Sequence, residues 1–207
     1  MLSAVERKIL FACGVGGLIG CLAVVFGNLV GILVYEQHDP ISETISKLAV
    51  GQYAWIVDSG MYLFAAGLMA CAFGLYRWSW AGARWRAASN FFALLSIDIT
   101  VIALFNQYAG SYNAGMKVHT YAVYTLYVLV CLTVLFVISG LREISESWGR
   151  YALWFGIFWA ILTPLYLITP TEWNGAYERF LGLLLVGGVA SISWVLLRRG
   201  RRYLAQG

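Results

Sequence analysis

The side chains able to do acid–base, nucleophilic or ligand chemistry gather at the ends of apolar segments. His38, Asp39, Ser42, Glu43 and Ser46 follow the first segment, and Asn106, Gln107, Tyr112, Lys117 and His119 surround the join of the third and fourth. Glu172, Asn174, Tyr177, Glu178 and Arg179 precede the sixth. A serine hydroxyl becomes a nucleophile when a histidine takes its proton and a carboxylate orients that histidine. Ser42, His38, His119, Asp58 and Asp98 are therefore the catalytic candidates, and His38, Ser42 and Ser46 stand at successive four-residue steps. No nucleophile elbow or glycine-rich oxyanion turn accompanies them.

Arg179, preceded by Glu178, suits a phosphate or carboxylate head group, or an ion pair with Asp58 or Glu172. With Lys117, Ser46 and Glu43 these two residues form the candidate ligand-binding set. Two histidines and several carboxylates on one side raise the question of a metal. There is no HExxH motif and no close histidine pair, so neither a metal nor haem nor any other cofactor is expected. Asp98 and Asp58 fall inside apolar segments, where an ionisable group is costly and marks a functional position by default. The plainer role for each is a structural hydrogen bond to a neighbouring helix.

These residues must be positioned by helices in a membrane. Of 207 residues, 61% are hydrophobic and 12% charged, against about 25% charged in an ordinary soluble domain. Six apolar runs, near 8–35, 54–76, 88–107, 118–140, 150–168 and 180–197, are each long enough to cross about 30 Å of hydrocarbon. The net charge of +4 follows topology and not nucleic acid. Arg7, Lys8, Arg77, Arg84, Arg86, Arg142, Arg150, Arg198, Arg199, Arg201 and Arg202 fall on one side, and Lys47, Lys117 and Arg179 on the other. This bias predicts cytoplasmic termini. Trp78, Trp80, Trp85 and Trp148 suit an inner aromatic belt, Trp55 and Trp173 an outer one.

Cys13, Cys21, Cys71 and Cys131 all fall within spans, which argues against a disulfide framework or a thiol-exchanging enzyme. The first span is too long for a signal-peptide core and lacks a small-residue cleavage pattern.

The chain reads as a single all-α transmembrane domain over 1–207, with neighbouring spans antiparallel. Gly16, Gly20, Gly27 and Gly31 permit close helix approach, used for packing within the monomer. No internal repeat is visible, which weakens a transporter built on inverted repeats. Thr120, Tyr124 and Tyr127 share a face of the fourth span, and Pro164 is placed to kink the fifth. In the longest loop, 36–53, Asp39 and Pro40 form a helix-start signature. Ile41, Ile45 and Leu48 then recur at helical spacing opposite Ser42, Glu43, Ser46 and Lys47, so a short amphipathic helix over about 40–50 is expected, lying on the surface or folded over the bundle.

The stretch DPISETISKLAVGQYAWIVDSGMYLFAAGLMACAFGLYR resembles the bacterial and archaeal family called domain of unknown function 998, and its loop is similar to that of DRAM and FRAG type membrane proteins. His119 and Glu178-Arg179 also look like family positions. The resemblance implies six spans and a functional loop around Pro40, Ser42 and Glu43, and it implies no activity. The ISKLAVG portion departs from the expected E-L-G ending.

Together these features predict a six-span protein of a cytoplasmic membrane, both termini inside, with an outer-leaflet cavity capped by the loop helix. A polar cluster beside a greasy groove suits a lipid or other amphiphile as partner. The competing readings are a structural partner of a membrane complex, a proton-coupled transporter centred on Asp98, and a plain hydrolase. Oligomeric state is not legible.

Overall fold

The computed structural model describes residues 3–78 and 82–201. Trp80 and Arg202, assigned above to the belt and the basic flank, lie outside the described residues. Six long helices carry the chain: α1 (Ala4–Val34), α3 (Ala54–Arg77), α4 (Gly82–Phe105), α5 (Ala114–Ile144), α6 (Glu146–Leu165) and α7 (Asn174–Arg201), with the one-turn α2 (Ile45–Leu48) in the long loop. All six are long and apolar enough to span a membrane. α1, α4, α5, α6 and α7 begin four to six residues before their apolar runs, and polar side chains cap several of these starts. Ser3 accepts from the Glu6 amide at 3.2 Å while the Glu6 carboxylate accepts from the Ser3 amide at 2.7 Å, a capping box. Asn113 caps α5 by accepting from the Met116 amide at 3.0 Å.

In order around the bundle, α1 packs on α3, α3 on α4, α4 on α5 and α5 on α6, while α7 returns to α1 and meets α6 and α3 lightly. Close approach of backbones sets this arrangement. A Cβ on Gly20 would lie 2.7 Å from the Leu63 carbonyl of α3, and one on Gly27 3.0 Å from that of Ile56. Gly14 faces α7 just as tightly, 2.5 Å from the Leu197 nitrogen. The small residues of α1 thus serve contacts within the monomer, and dispersion across these seams replaces the hydrophobic drive that lipid does not provide.

The described arginines of α3, α4, α5, α6 and the end of α7 share one end of the bundle, and the 36–53 loop lies at the other. At the arginine-rich end the belt expectation is corrected for two indoles. Trp78 and Trp85 are buried and meet edge to face at 5.4 Å. Gly140 leaves the space that Trp85 fills. Trp55 and Trp173, at the loop end, are exposed.

Pro164 stands one residue before the end of α6, where the chain tightens into a 3₁₀ turn over Tyr166–Ile168. It therefore ends the helix more than it bends it.

Candidate functional site

The long loop folds over the bundle, and Arg179 is the reason. Near the start of α7, its Nη1 donates to the carbonyls of Pro40 at 2.8 Å, Glu43 at 2.7 Å and Gly175 at 3.1 Å. Its Nη2 donates to His38 Nε2 at 2.8 Å. The Ala176 amide also donates to the Ile41 carbonyl at 2.8 Å.

A continuous helix over 40–50 would need the Pro40 and Glu43 carbonyls for its own ladder. They are given to Arg179 instead, so the expected helix shrinks to Ile45–Leu48, capped by Thr44. Asp39 still caps locally, accepting from the Ile41 amide at 3.0 Å and from the Ser42 hydroxyl at 2.5 Å. The Ser42 hydroxyl beside it holds the Asp39 carboxyl below the usual range, helped by the Ile41 amide. The amphipathic pattern is also turned. Ile41 is exposed, whereas Ser46 is buried beside Leu48.

A guanidinium has no acceptor, so His38 Nε2 must present its lone pair to Arg179. The proton then sits on Nδ1, 3.2 Å from Glu43 Oε2. Burial pushes the His38 pKa below its ordinary value, and the Arg179 charge lowers it further against the opposing pull of Glu43 and Asp39. His38, Asp39, Ser42, Glu43 and Arg179 thus form one strap cluster above the bundle. Lys117 is exposed and belongs to neither this cluster nor the space below. Among the described residues no ion pair joins Arg179 to Asp58 or Glu172; its hydrogen bonds go to the carbonyls of Pro40, Glu43 and Gly175 and to His38.

Beneath the strap lies a cavity of about 280 Å³ lined by all six spans and α2. Its walls are apolar, with Val57, Phe64, Ile99, Leu126 and Leu185 among them. Its polar atoms come from Ser46, Glu178, Arg179, Asn106 and Asn28. Glu178 Oε2 accepts from the Ile45 amide at 2.7 Å, which pins α2 over the opening. Asn106 donates to Asp58 Oδ1 at 2.9 Å, but its own Oδ1 is buried without a partner among the described residues. Asn28 Nδ2 and Arg179 Nε are likewise buried and unpartnered among them. Orphaned polar atoms around one cavity are uncommon in a native interior and are what a polar ligand would satisfy.

Ser46 Oγ lies 3.0 Å from His119 Nε2, both residues being buried. The serine that meets a histidine is thus Ser46 and not Ser42, because the turn over 40–43 rotates Ser42 onto Asp39. No hydrogen bond joins His119 to Asp58 or Asp98 among the described residues. Asp98 is buried in α4 with Oδ2 unpartnered and does not line the cavity. Asn28 went unnoticed in the sequence, although an amide between Gly27 and Leu29 in an apolar span was the available signal. Tyr127 and Trp159 also line the cavity, in edge-to-face contact at 6.1 Å, with Trp159 Nε1 donating to the Tyr127 carbonyl at 3.1 Å.

Toward the arginine-rich end α1 and α7 touch through Gly14, Gly17 and Gly200. Toward the loop end, beyond the 3.7 Å contact of Cys21 Sγ with the Val186 carbonyl, the cavity comes between them. Leu29 of α1 and Leu183 of α7 line it while remaining 52% and 59% exposed. The cavity therefore reaches the outer surface of the bundle.

No curated protein and no solved structure is significantly similar to this chain. The expected likeness to DRAM and FRAG proteins finds no support in these comparisons. A family model does match, over residues 18–195, which takes in all six spans, the strap and the cavity; the chain belongs to the family described as protein of unknown function DUF998.

Proposed function

We propose that this multi-pass membrane protein takes an amphiphile from the outer leaflet into the cavity between α1 and α7. The observation that carries this reading is the cavity itself: apolar walls, a polar roof with unpartnered atoms, and a side bounded by exposed Leu29 and Leu183. A head group has Glu178, Arg179 Nε, Asn106 Oδ1 and Asn28 Nδ2 to meet, and an alkyl chain has the leucine and valine walls. Arg179 acts through Nε here, since Nη1 and Nη2 are held by the strap. The outer assignment follows from arginines at the opposite end, which also supports cytoplasmic termini and a cytoplasmic membrane. Proton-coupled transport would centre on Asp98, which stands away from the cavity lining.

The test is native mass spectrometry with lipid extraction on gently purified protein, comparing wild type with Gly182→Phe. A Cβ at Gly182 meets nothing nearer than Ile45 Cδ1 at 3.8 Å, so a phenyl group there has room to enter the cavity. Wild type is expected to retain a specific amphiphile that the variant lacks. Equal loading of both with bulk lipid would overturn the reading.

A further inference from the structure

The contact between Ser46 and His119 goes further than holding α2 in place. Ser46 lines the cavity and His119 stands behind it on α5, Oγ to Nε2 at 3.0 Å. The Ile102 carbonyl of α4 lies beside the imidazole, and Nδ1 makes no full hydrogen bond among the described residues. A carbonyl beside the ring favours the tautomer with the proton on Nδ1, which leaves Nε2 to accept the Ser46 hydroxyl proton. That is the arrangement of a nucleophile and its general base. Two buried donors without partners among the described residues, Asn28 Nδ2 and Arg179 Nε, line the same cavity, and such donors are the groups that stabilise an oxyanion.

We propose that Ser46 and His119 form a nucleophile–base pair that accepts the acyl group of an ester-bearing amphiphile held in the cavity. Ser46 Oγ bonds to the ester carbonyl carbon as its proton passes to His119 Nε2. The ester C–O bond then breaks, and the departing alcohol takes that proton from His119. Water, activated by the same imidazole, attacks the acyl-Ser46 ester, returning the serine hydroxyl and a free fatty acid. No oxidant, metal or cofactor enters the balance.

This proposal rests on the cavity being an amphiphile site, and one experiment separates the two failures. Full-length protein in detergent is incubated with a long-chain alkyl fluorophosphonate, which phosphonylates activated serines. The adduct is located by peptide mass spectrometry, and native spectra of unreacted protein record bound amphiphile in parallel.

The expected result is a single adduct on Ser46, absent in Ser46→Ala and formed about 100-fold more slowly in His119→Gln. Mapping in the wild type stands even if a variant fails to fold. An adduct elsewhere overturns the nucleophile assignment, as does no adduct on protein that still retains amphiphile. Absence of both adduct and bound amphiphile overturns the cavity reading with it.

Discussion

Arg179 donates through Nη2 to His38 Nε2 at 2.8 Å. That bond holds His38 neutral, because a ring nitrogen accepting from a guanidinium cannot itself carry a proton. The Glu43 carboxylate stands 3.2 Å from Nδ1 on the other side of the ring, at a geometry short of a full hydrogen bond.

A pH dependence follows. The His38 pKa is depressed by burial and by Arg179. Stability from the neutral ring is therefore fully present above the ordinary histidine value of about 6.5 and is lost as pH falls through the lower folded value. Arg179, Glu43, Asp39 and Lys47 are the charged groups whose fields reach the ring. Limited proteolysis within 36–53 should accelerate on acidification, and His38→Gln should flatten that dependence. An unchanged acid response in the variant would place the switch elsewhere.

Replacing Arg179 removes four hydrogen bonds at once and frees the carbonyls of Pro40 and Glu43. Arg179→Ala should lower stability by about 2 kcal/mol, read as thermal unfolding in detergent. Arg179→Lys should restore little, since an ammonium cannot span the same fork. Full rescue by lysine would contradict the strap geometry.

The seam between α1 and α3 leaves no room for side chains. Gly20→Val forces atoms into the Leu63 carbonyl and should destabilise by about 3 kcal/mol or prevent folding. Gly187→Ala serves as the control, because nothing lies within 4 Å of its Cβ. Equal behaviour of the two variants in size-exclusion and melting assays would mean that the seam is misplaced.

Within the cavity, Asn106→Leu removes the unpartnered Oδ1 and the bond to Asp58. It is expected to weaken amphiphile retention about 10-fold, the equivalent of roughly 1.4 kcal/mol. Asp98→Asn should leave retention unaltered, as that carboxylate does not border the space. The reverse ranking in a lipid-binding assay would favour a pathway through Asp98.

Much of the fold was legible because a membrane imposes length and hydropathy on every span, and arginine placement divides the two ends. The strap was less legible. Pro40 and Asp39 signal a helix start, yet the chain makes only a turn there and the helix begins at Ile45, because a guanidinium arrives from residue 179, a long-range partner that no local pattern encodes. For the same reason Ser42 and Ser46, equivalent by spacing, part company: one turns onto Asp39 and the other onto His119. Trp78 and Trp85 carry the composition of an interfacial belt and are buried because they pack edge to face and Gly140 leaves room for Trp85. Asn28 was visible as a polar residue in α1, yet its place in a cavity depends on α1 and α7 leaving room between them.

Photo-crosslinking tests whether an amphiphile enters between α1 and α7. Protein in lipid nanodiscs is irradiated with an amphiphile whose alkyl chain carries a diazirine, and the labelled residues are mapped by mass spectrometry. Label is expected on Leu29 and Leu183 at the opening and on interior Tyr127 and Leu185 behind them, with loss of the interior label in Gly182→Phe. Label confined to residues on the outside of the bundle, such as Leu22 and Ile97, with none in the interior, would contradict entry between α1 and α7.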